Sequence, residues 1–241
     1  MSKIKVGELN EELHGLSAEK GLALIGSRFG RNARFSTSFG LEDQVITHLI
    51  ASSAPGIEIF TLDTGRLFQE TYDVFALTAQ KYQLQIVTYF PDQLKTEDLL
   101  KRKGPNSFYE SVVNRKECCF IRKVEPLSRA LTGASVWITG LRSEQSANRS
   151  QVAEMEWDDQ YQLLKYNPLI SWSWDEVRSF ADHNSIPVNS LHRKGFPSIG
   201  CAPCTRAILP GEDARAGRWW WENSNKECGL HEHKAAPVLK S

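Results

Sequence analysis

The sequence predicts an α/β fold: a mostly parallel, doubly wound sheet followed by a loop-rich, mobile C-terminal segment. Three observations lead there. Strand, turn and helix patterns recur in that order from Ala33 onward. The composition, 41% hydrophobic and 24% charged over 241 residues, suits one domain with a sizeable core. After Pro187, glycine and proline crowd the chain (Gly195, Pro197, Gly200, Pro203, Pro210, Gly211, Gly217, Gly229), the mark of loops that can move.

The elements follow in order. Leu9, Leu13 and Leu16, then Leu22, Leu24 and Ile25, have helical spacing interrupted by Gly15, Gly21, Gly26 and Gly30, so residues 1–32 form one or two short helices outside the sheet. Arg34–Ser38 is a strand and Phe39-Gly40 a turn. Leu41–Ser53 is a helix with Val45, Ile46, Leu49 and Ile50 on one face. The order repeats with a strand at Ile57–Leu62 and a helix at Leu67–Tyr82, then with a strand at Leu84–Phe90 and a helix to about Arg102. A helix over Cys118–Leu131 precedes a fourth strand, Val136–Leu141, and Asp175–Asn184 is a further helix with Trp174, Val177, Phe180 and Ala181 on its apolar side. Residues 33–200 thus form the core, and residues 201–241 are an appendage of the same domain. In such a sheet the ligand site lies beyond the C-terminal strand ends, so the loops after Ser38, Leu62 and Leu141 line one crevice.

Lys and Arg total 29, as do Asp and Glu, so the net charge is zero and the footprint of a general nucleic-acid binder is missing. Any anion site is local. The N-terminal lysines are followed by no apolar stretch of a secretion signal, and no apolar run reaches the roughly 18–20 residues of a membrane helix, which predicts a cytoplasmic protein with no membrane partner. Its five cysteines fall into an adjacent pair, Cys118-Cys119, a C-x-x-C, Cys201 and Cys204, and one left over, Cys228. In a reducing compartment an odd, clustered set points to metal binding plus one reactive thiol.

Ser36, Thr37, Ser38 and Gly40 end the first strand, where small residues and a helix start offer N–H groups to a phosphate; the turn is neither a Walker A nor a G-x-G-x-x-G sequence. Leu62-Asp63-Thr64-Gly65-Arg66 ends the second strand, with Asp63 as an acceptor for an adenine amino group or ribose and Arg66 as a cationic fork. Gly140 and Arg142 follow the fourth strand, and Arg149 comes soon after. Three such loops favour a nucleotide site. The four clustered cysteines offer a thiolate shell for zinc or for a [4Fe–4S] cube. Adjacent cysteines diverge by roughly 100° on a helix, which suits two corners of a cluster better than one ion. Arg122 and Lys123 are cations that offset its negative charge. Cys228 lies in a polar stretch with Lys226, His231 and His233, which favours an exposed, nucleophilic thiolate. Arg215 and Arg218 precede it, with three consecutive tryptophans, Trp219-Trp220-Trp221, that cannot all enter one core.

Together, Ser36-Thr37-Ser38-Phe39-Gly40, Leu62-Asp63-Thr64-Gly65-Arg66, Cys118-Cys119-x-x-Arg122-Lys123, Cys201-x-x-Cys204 and Lys226-Glu227-Cys228-Gly229-Leu230-His231 resemble the assimilatory sulfonucleotide reductases. More narrowly, they resemble the iron–sulfur adenylyl-sulfate (APS) reductases, over about residues 33–233. The resemblance implies an adenine-nucleotide α-hydrolase-like fold that reduces adenosine 5′-phosphosulfate to sulfite and AMP in sulfate assimilation and cysteine biosynthesis. It implies Cys118, Cys119, Cys201 and Cys204 as ligands of a [4Fe–4S] cluster, with Lys123 linking the cluster to the substrate. Cys228 corresponds to the nucleophile that becomes an S-sulfonate. Arg142, Arg149, Arg215, Arg218 and His231 match basic positions around the phosphosulfate. In the related ATP pyrophosphatases the first loop is S-G-G-x-D-S, and Phe39 in that stretch here argues against ATP cleavage. With four cysteines committed to the cluster, the resolving thiol comes from outside, by family analogy from thioredoxin (or glutaredoxin). A homo-oligomer is left open. The alternatives are a 3′-phospho-APS (PAPS) reductase, whose relatives generally lack the cysteine doublets, and a zinc-stabilised nucleotide-binding regulatory protein.

Overall fold

Residue alternation in the strands sets the two faces of the sheet. The computed structural model describes residues 4–145 and 152–222. Its six strands are β1 (Ala33–Thr37), β2 (Glu58–Leu62), β3 (Val87–Tyr89), β4 (Val136–Ile138), β5 (Met155–Asp158) and β6 (Leu163–Tyr166), in the spatial order β3-β2-β1-β4-β6-β5. All neighbours are parallel except β5, which pairs antiparallel with β6 at the edge. Phe35 is in register with Ile59 and Ile138, and all three point into the larger core. One residue along, Phe60 and Trp137 point to the opposite face and build a second core with Leu127, Ala130, Leu131 and Leu163.

The chain runs from β1 to β2 and β3 on one side and then returns to place β4 on the other. The strand order therefore reverses between β1 and β4, the position at which open α/β sheets hold their ligands.

Helices α1 (Ile4–Leu13), α2 (Ala18–Phe29), α3 (Leu41–Ser53) and α8 (Trp174–His183) cover the larger core. Leu9, Leu13, Leu22 and Ile25 are buried there with Val45, Ile46, Leu49 and Ile50 of α3, so α1 and α2 lie outside the sheet and pack onto the core. The remaining helices are α4 (Gln69–Tyr82), α5 (Gln93–Lys103), α6 (Val112–Cys119) and α7 (Glu125–Leu131).

Three differences from the sequence expectation have physical reasons. The helix expected over Cys118–Leu131 begins at Val112, where Ser111 caps it by accepting from the Asn114 N–H at 3.1 Å. It is also not one α-helix, because a π turn over Phe120–Val124 joins α6 to α7. That wide turn lies just ahead of Pro126, which has no N–H and whose ring crowds the carbonyl four residues back. The third difference is the β5–β6 hairpin, which carried no sequence expectation. Its apolar signal is interrupted by Lys165, which is buried, pairs with Glu156 at 3.0 Å and lies 5.4 Å from the centre of the Trp137 ring. Strands β3 and β4 are also shorter than expected. Among the described residues, no helix is long and apolar enough to cross a membrane.

Candidate active site

A cavity of about 480 Å³ opens at the C-terminal ends of β1, β2 and β4. Ser36, Thr37, Ser38, Gly40, Leu62, Thr64, Gly140 and Arg142 line it, as do Lys123, Arg215 and Arg218. The three strand-end loops expected to share one crevice do share it.

The loop after β1 is held by its own hydrogen bonds. The Ser36 hydroxyl accepts from the Trp137 indole N–H at 2.8 Å, and the Thr37 hydroxyl accepts from the Phe39 N–H at 3.1 Å. Both the Ser38 N–H and its hydroxyl donate to Asp43, at 2.6 and 2.7 Å. Phe39 sits at φ 58°, unusual for a residue with a side chain, and its buried ring stacks on Phe75 with centroids 4.7 Å apart. That packing occupies the stretch where the pyrophosphatase loop has glycine.

Asp43 was not anticipated. Its carboxyl is pushed up to about 6, by burial first and by Glu42 in addition, against the two Ser38 donors that favour the ionised form. Gly140 is required beside it, since a Cβ there would collide with the Asp43 carboxylate. Arg142 lines the cavity but is buried against acids: its Nε donates to Glu42 at 2.9 Å, and Nη1 lies 3.3 Å from Glu144. Gln145 donates to the same Glu42 oxygen at 3.0 Å. Glu42 follows the first loop in sequence, but nothing in the sequence pairs it with Arg142 a hundred residues on.

Among the expected residues, Asp63, Gly65 and Arg66 do not line this cavity. The Asp63 carboxylate accepts from the Gly65 N–H at 2.8 Å and from the Tyr72 hydroxyl at 3.0 Å, which closes a local turn. Arg66 turns the other way. Its guanidinium stacks on Phe108, bonds to the Pro105 carbonyl and donates to Asn106 at 3.1 Å, lining a second cavity instead of the crevice.

That second cavity holds the sulfur atoms. Cys118, Cys119, Cys201 and Cys204 line it together with Arg66, Arg115, Arg122 and Lys123. The end of α6 supplies one pair. The other comes from a short 3₁₀ turn, Ala202–Cys204, tied to the loop after β2: the Ala202 N–H donates to the Arg66 carbonyl at 2.8 Å, and the Thr64 hydroxyl lies 3.3 Å from the Cys201 sulfur. Arg122 reaches the Thr64 carbonyl at 2.6 Å. A strand-like contact between Thr205 and Arg218 lays residues 217–219 along this turn, and the Trp219 N–H donates to the Cys204 carbonyl at 3.1 Å.

Burial raises the Cys118 thiol, and burial together with Cys201 pushes Cys204 up to about 12. Cys201 goes the other way. Burial alone would raise it, but Lys123, the Thr64 hydroxyl, Arg218 and Arg122 outweigh burial and hold it below the ordinary thiol value. Lys123 lines both cavities and so joins the sulfur site to the crevice.

The donor set fits a cluster ligated only by thiolates. Four sulfurs from two segments converge on one cavity ringed by cations, and the Trp219 indole N–H is buried there without a hydrogen-bond partner. The four thiols share this cavity without being drawn together as a one-ion shell: among the described residues, no group of three or more His, Cys, Asp or Glu side chains is arranged to hold a metal ion. Arg149, Cys228 and His231 lie outside the described residues.

Residues 32–207 match the phosphoadenosine phosphosulfate reductase domain family. A protein of Sinorhizobium fredii named adenosine 5′-phosphosulfate reductase is 52% identical over 232 residues, 96% of this chain and 92% of that protein. One of the same name from Allochromatium vinosum is 52% identical over 204 residues, 84% of this chain and 80% of its own. Among solved structures, a phosphoadenylyl-sulfate reductase from Candida auris aligns with a TM-score of 0.74 and 30% identity over 86% of this chain and 98% of that one. An FMN adenylyltransferase from Candida glabrata aligns with a TM-score of 0.53 at 14% identity over 90% of this chain and 78% of that one, a likeness of fold alone. With the family match covering the sheet, the three strand-end loops and both cysteine pairs, and half the residues shared with relatives over nearly the whole length, the chain belongs to the phosphoadenosine phosphosulfate reductase domain family.

Proposed function

We propose that the protein reduces adenosine 5′-phosphosulfate to sulfite and AMP, with Cys228 as nucleophile and a [4Fe–4S] cluster on Cys118, Cys119, Cys201 and Cys204. One observation carries the reading: Lys123 lines both the nucleotide-sized crevice and the four-sulfur cavity. A protein that merely stored a cluster, or merely bound a nucleotide, would need no such shared cation.

The crevice has a direction. Near α3, Asp43 and Glu42 engage the Ser38 donors and Arg142, leaving a polar surface suited to the uncharged nucleoside. Toward the sulfur cavity, Lys123, Arg215 and Arg218 offer cations to the phosphosulfate. They cancel the repulsion between a thiolate and a doubly anionic substrate and stabilise the departing AMP phosphate. The Cys228 thiolate attacks the sulfate sulfur, the bond from that sulfur to the phosphate oxygen breaks, and AMP leaves, with Cys228 carrying the SO₃ group. An external dithiol of the thioredoxin or glutaredoxin class then attacks the Cys228 sulfur and expels sulfite. Its second thiol resolves the mixed disulfide, so the dithiol becomes a disulfide and Cys228 returns as thiolate. When bound, the cluster supplies a fixed charge and a rigid frame for Lys123. A dithiol reductant and four cluster thiols call for a reducing compartment, which we take to be the cytoplasm.

The test is to mix anaerobically purified protein with APS without reductant and to weigh it intact. One added SO₃ group in the wild type and none in Cys228→Ser is expected; an unmodified wild type overturns the reading. The same assay with the 3′-phosphorylated nucleotide in competition separates APS from PAPS. Iron and sulfide against zinc, measured per chain, separates the cluster from a zinc site.

A further inference from the structure

We infer that Glu42 and Glu144, by occupying the Arg142 guanidinium, make the nucleoside part of the crevice exclude a phosphate on the ribose 3′-oxygen, so that these three side chains select the nucleotide. This deepens, and rests on, the reading of the protein as a reductase of adenosine 5′-phosphosulfate.

A 3′-phosphate is carried on the ribose, so on that reading it enters the nucleoside part of the crevice and not the end where Lys123, Arg215 and Arg218 face the phosphosulfate. The other charged side chains of the lining are mostly acids: Glu42, Asp43, Glu144 and Glu212 against Arg142. Glu212 is held by Arg206 through two contacts of 2.8 Å. His192 also lines the crevice, but burial pushes its pKa down, so the ring adds no fixed cation. Among the described residues, Arg142 is the one cation a phosphate would meet there.

Arg142 is already engaged. Its side chain is 5% exposed; Nε donates to Glu42 at 2.9 Å, and Nη1 lies 3.3 Å from Glu144 and donates to the Trp172 carbonyl at 3.2 Å. Both acids are fixed in turn, Glu42 by the Gln145 amide at 3.0 Å and Glu144 by the Trp174 N–H at 3.2 Å, at the start of α8. The Trp174 ring, centred 5.7 Å from the guanidinium carbon, packs on the same group. Turning the fork toward a phosphate would leave Glu42, whose side chain is 13% exposed, without its cation. The wall already resists negative charge there, since burial and Glu42 push the adjoining Asp43 carboxyl up to about 6. A guanidinium is the side chain best shaped for a phosphate, and here two carboxylates hold the places that phosphate oxygens would take. Selectivity of this kind comes from repelling the wrong ligand.

The experiment uses the full-length holoenzyme and the variants Glu42→Gln, Glu144→Gln and Glu42→Gln/Arg142→Ala. Calorimetry measures the affinity of each for AMP and for adenosine 3′,5′-bisphosphate, which differ only in the 3′-phosphate. The ratio of the two affinities is the readout, because general damage to the crevice weakens both ligands together. Wild type is expected to favour AMP, and Glu42→Gln to shift the ratio toward the bisphosphate by about ten- to a hundred-fold. Glu144, 57% exposed, is better screened, so Glu144→Gln should shift it less and in the same direction; it also carries the test if Glu42→Gln does not fold. Adding Arg142→Ala to Glu42→Gln removes the released fork and should return the ratio to within about three-fold of wild type. A ratio unchanged in the single variants overturns the inference, as does a shift that survives the loss of Arg142 or a wild type that binds both ligands equally. If wild-type protein acquires no SO₃ group from APS, the reductase reading fails separately, and the affinity ratios still decide whether this wall excludes a 3′-phosphate.

Discussion

Asp43 and Cys201 are both buried, and burial pushes the pKa of each upward, yet they settle on opposite sides of their ordinary values. Asp43 ends at about 6, because the two Ser38 donors do not offset burial and Glu42 adds to it. Cys201 ends low, because Lys123, Thr64, Arg218 and Arg122 more than reverse the cost of burial. Burial is common to both; the neighbours decide the sign. The crevice wall at Asp43 disfavours negative charge, and the sulfur cavity that adjoins the crevice at Lys123 collects it, which is the polarity a nucleotide with a charged tail requires.

The largest effect is expected from breaking the electropositive end outright. Replacing Cys201 by Ser removes one of four sulfur donors, and both iron per chain and sulfite release should fall to background; metal analysis and a sulfite assay check it. Lys123→Gln should leave iron in place and lower kcat/KM by about a hundred-fold, the scale of one lost electrostatic stabiliser. Unchanged kcat/KM would show that the shared cation is incidental. A smaller effect is expected at Gly200, where a Cβ would run into the Arg218 guanidinium. Gly200→Ala should displace Arg218 and cost about ten-fold in kcat/KM, mainly through KM, as steady-state kinetics would show.

The smallest effect tests the other end, through stability. Asp43 has its folded pKa raised from 3.8 to about 6, so the folded state binds more protons than the unfolded between those values. Its contribution is fully present below 3.8 and is lost as pH rises through about 6. Asp43→Asn should therefore have a higher unfolding free energy than wild type above pH 6, by on the order of 1–3 kcal/mol from denaturant titrations, with the gap closing toward pH 4. A gap that widens on acidification would reverse the assignment of the two ends.

Much of this architecture was legible in the residues. The recurrence of strand, turn and helix from Ala33 to Leu141, and the placing of the three strand-end loops on one crevice, follow from local periodicity and from the rule for parallel sheets. The cysteine doublets were visible as spacing. The direction of each arginine was not. Arg66 and Arg142 follow glycine-bearing strand ends in the same way, yet one stacks on Phe108 beside the sulfur atoms and the other is held by Glu42 and Glu144. Their partners lie on other elements, and local sequence has no access to that. The β5–β6 hairpin stayed hidden because Lys165 is stabilised inside it by Glu156 and Trp137, a compensation that exists only once the sheet has formed.

By itself, then, the sequence determined what depends on neighbours along the chain: helical and strand periods, the turn at Phe39-Gly40, and the pairing of cysteines into doublets. Tertiary structure alone decided what depends on neighbours in space. It placed Lys123 between two cavities, bound Glu222 to Arg115 across 107 residues, and gave two buried groups opposite charge preferences. The physical reason is range. Backbone preference acts over a few residues, whereas burial and charge act through whatever the fold brings within a few ångströms.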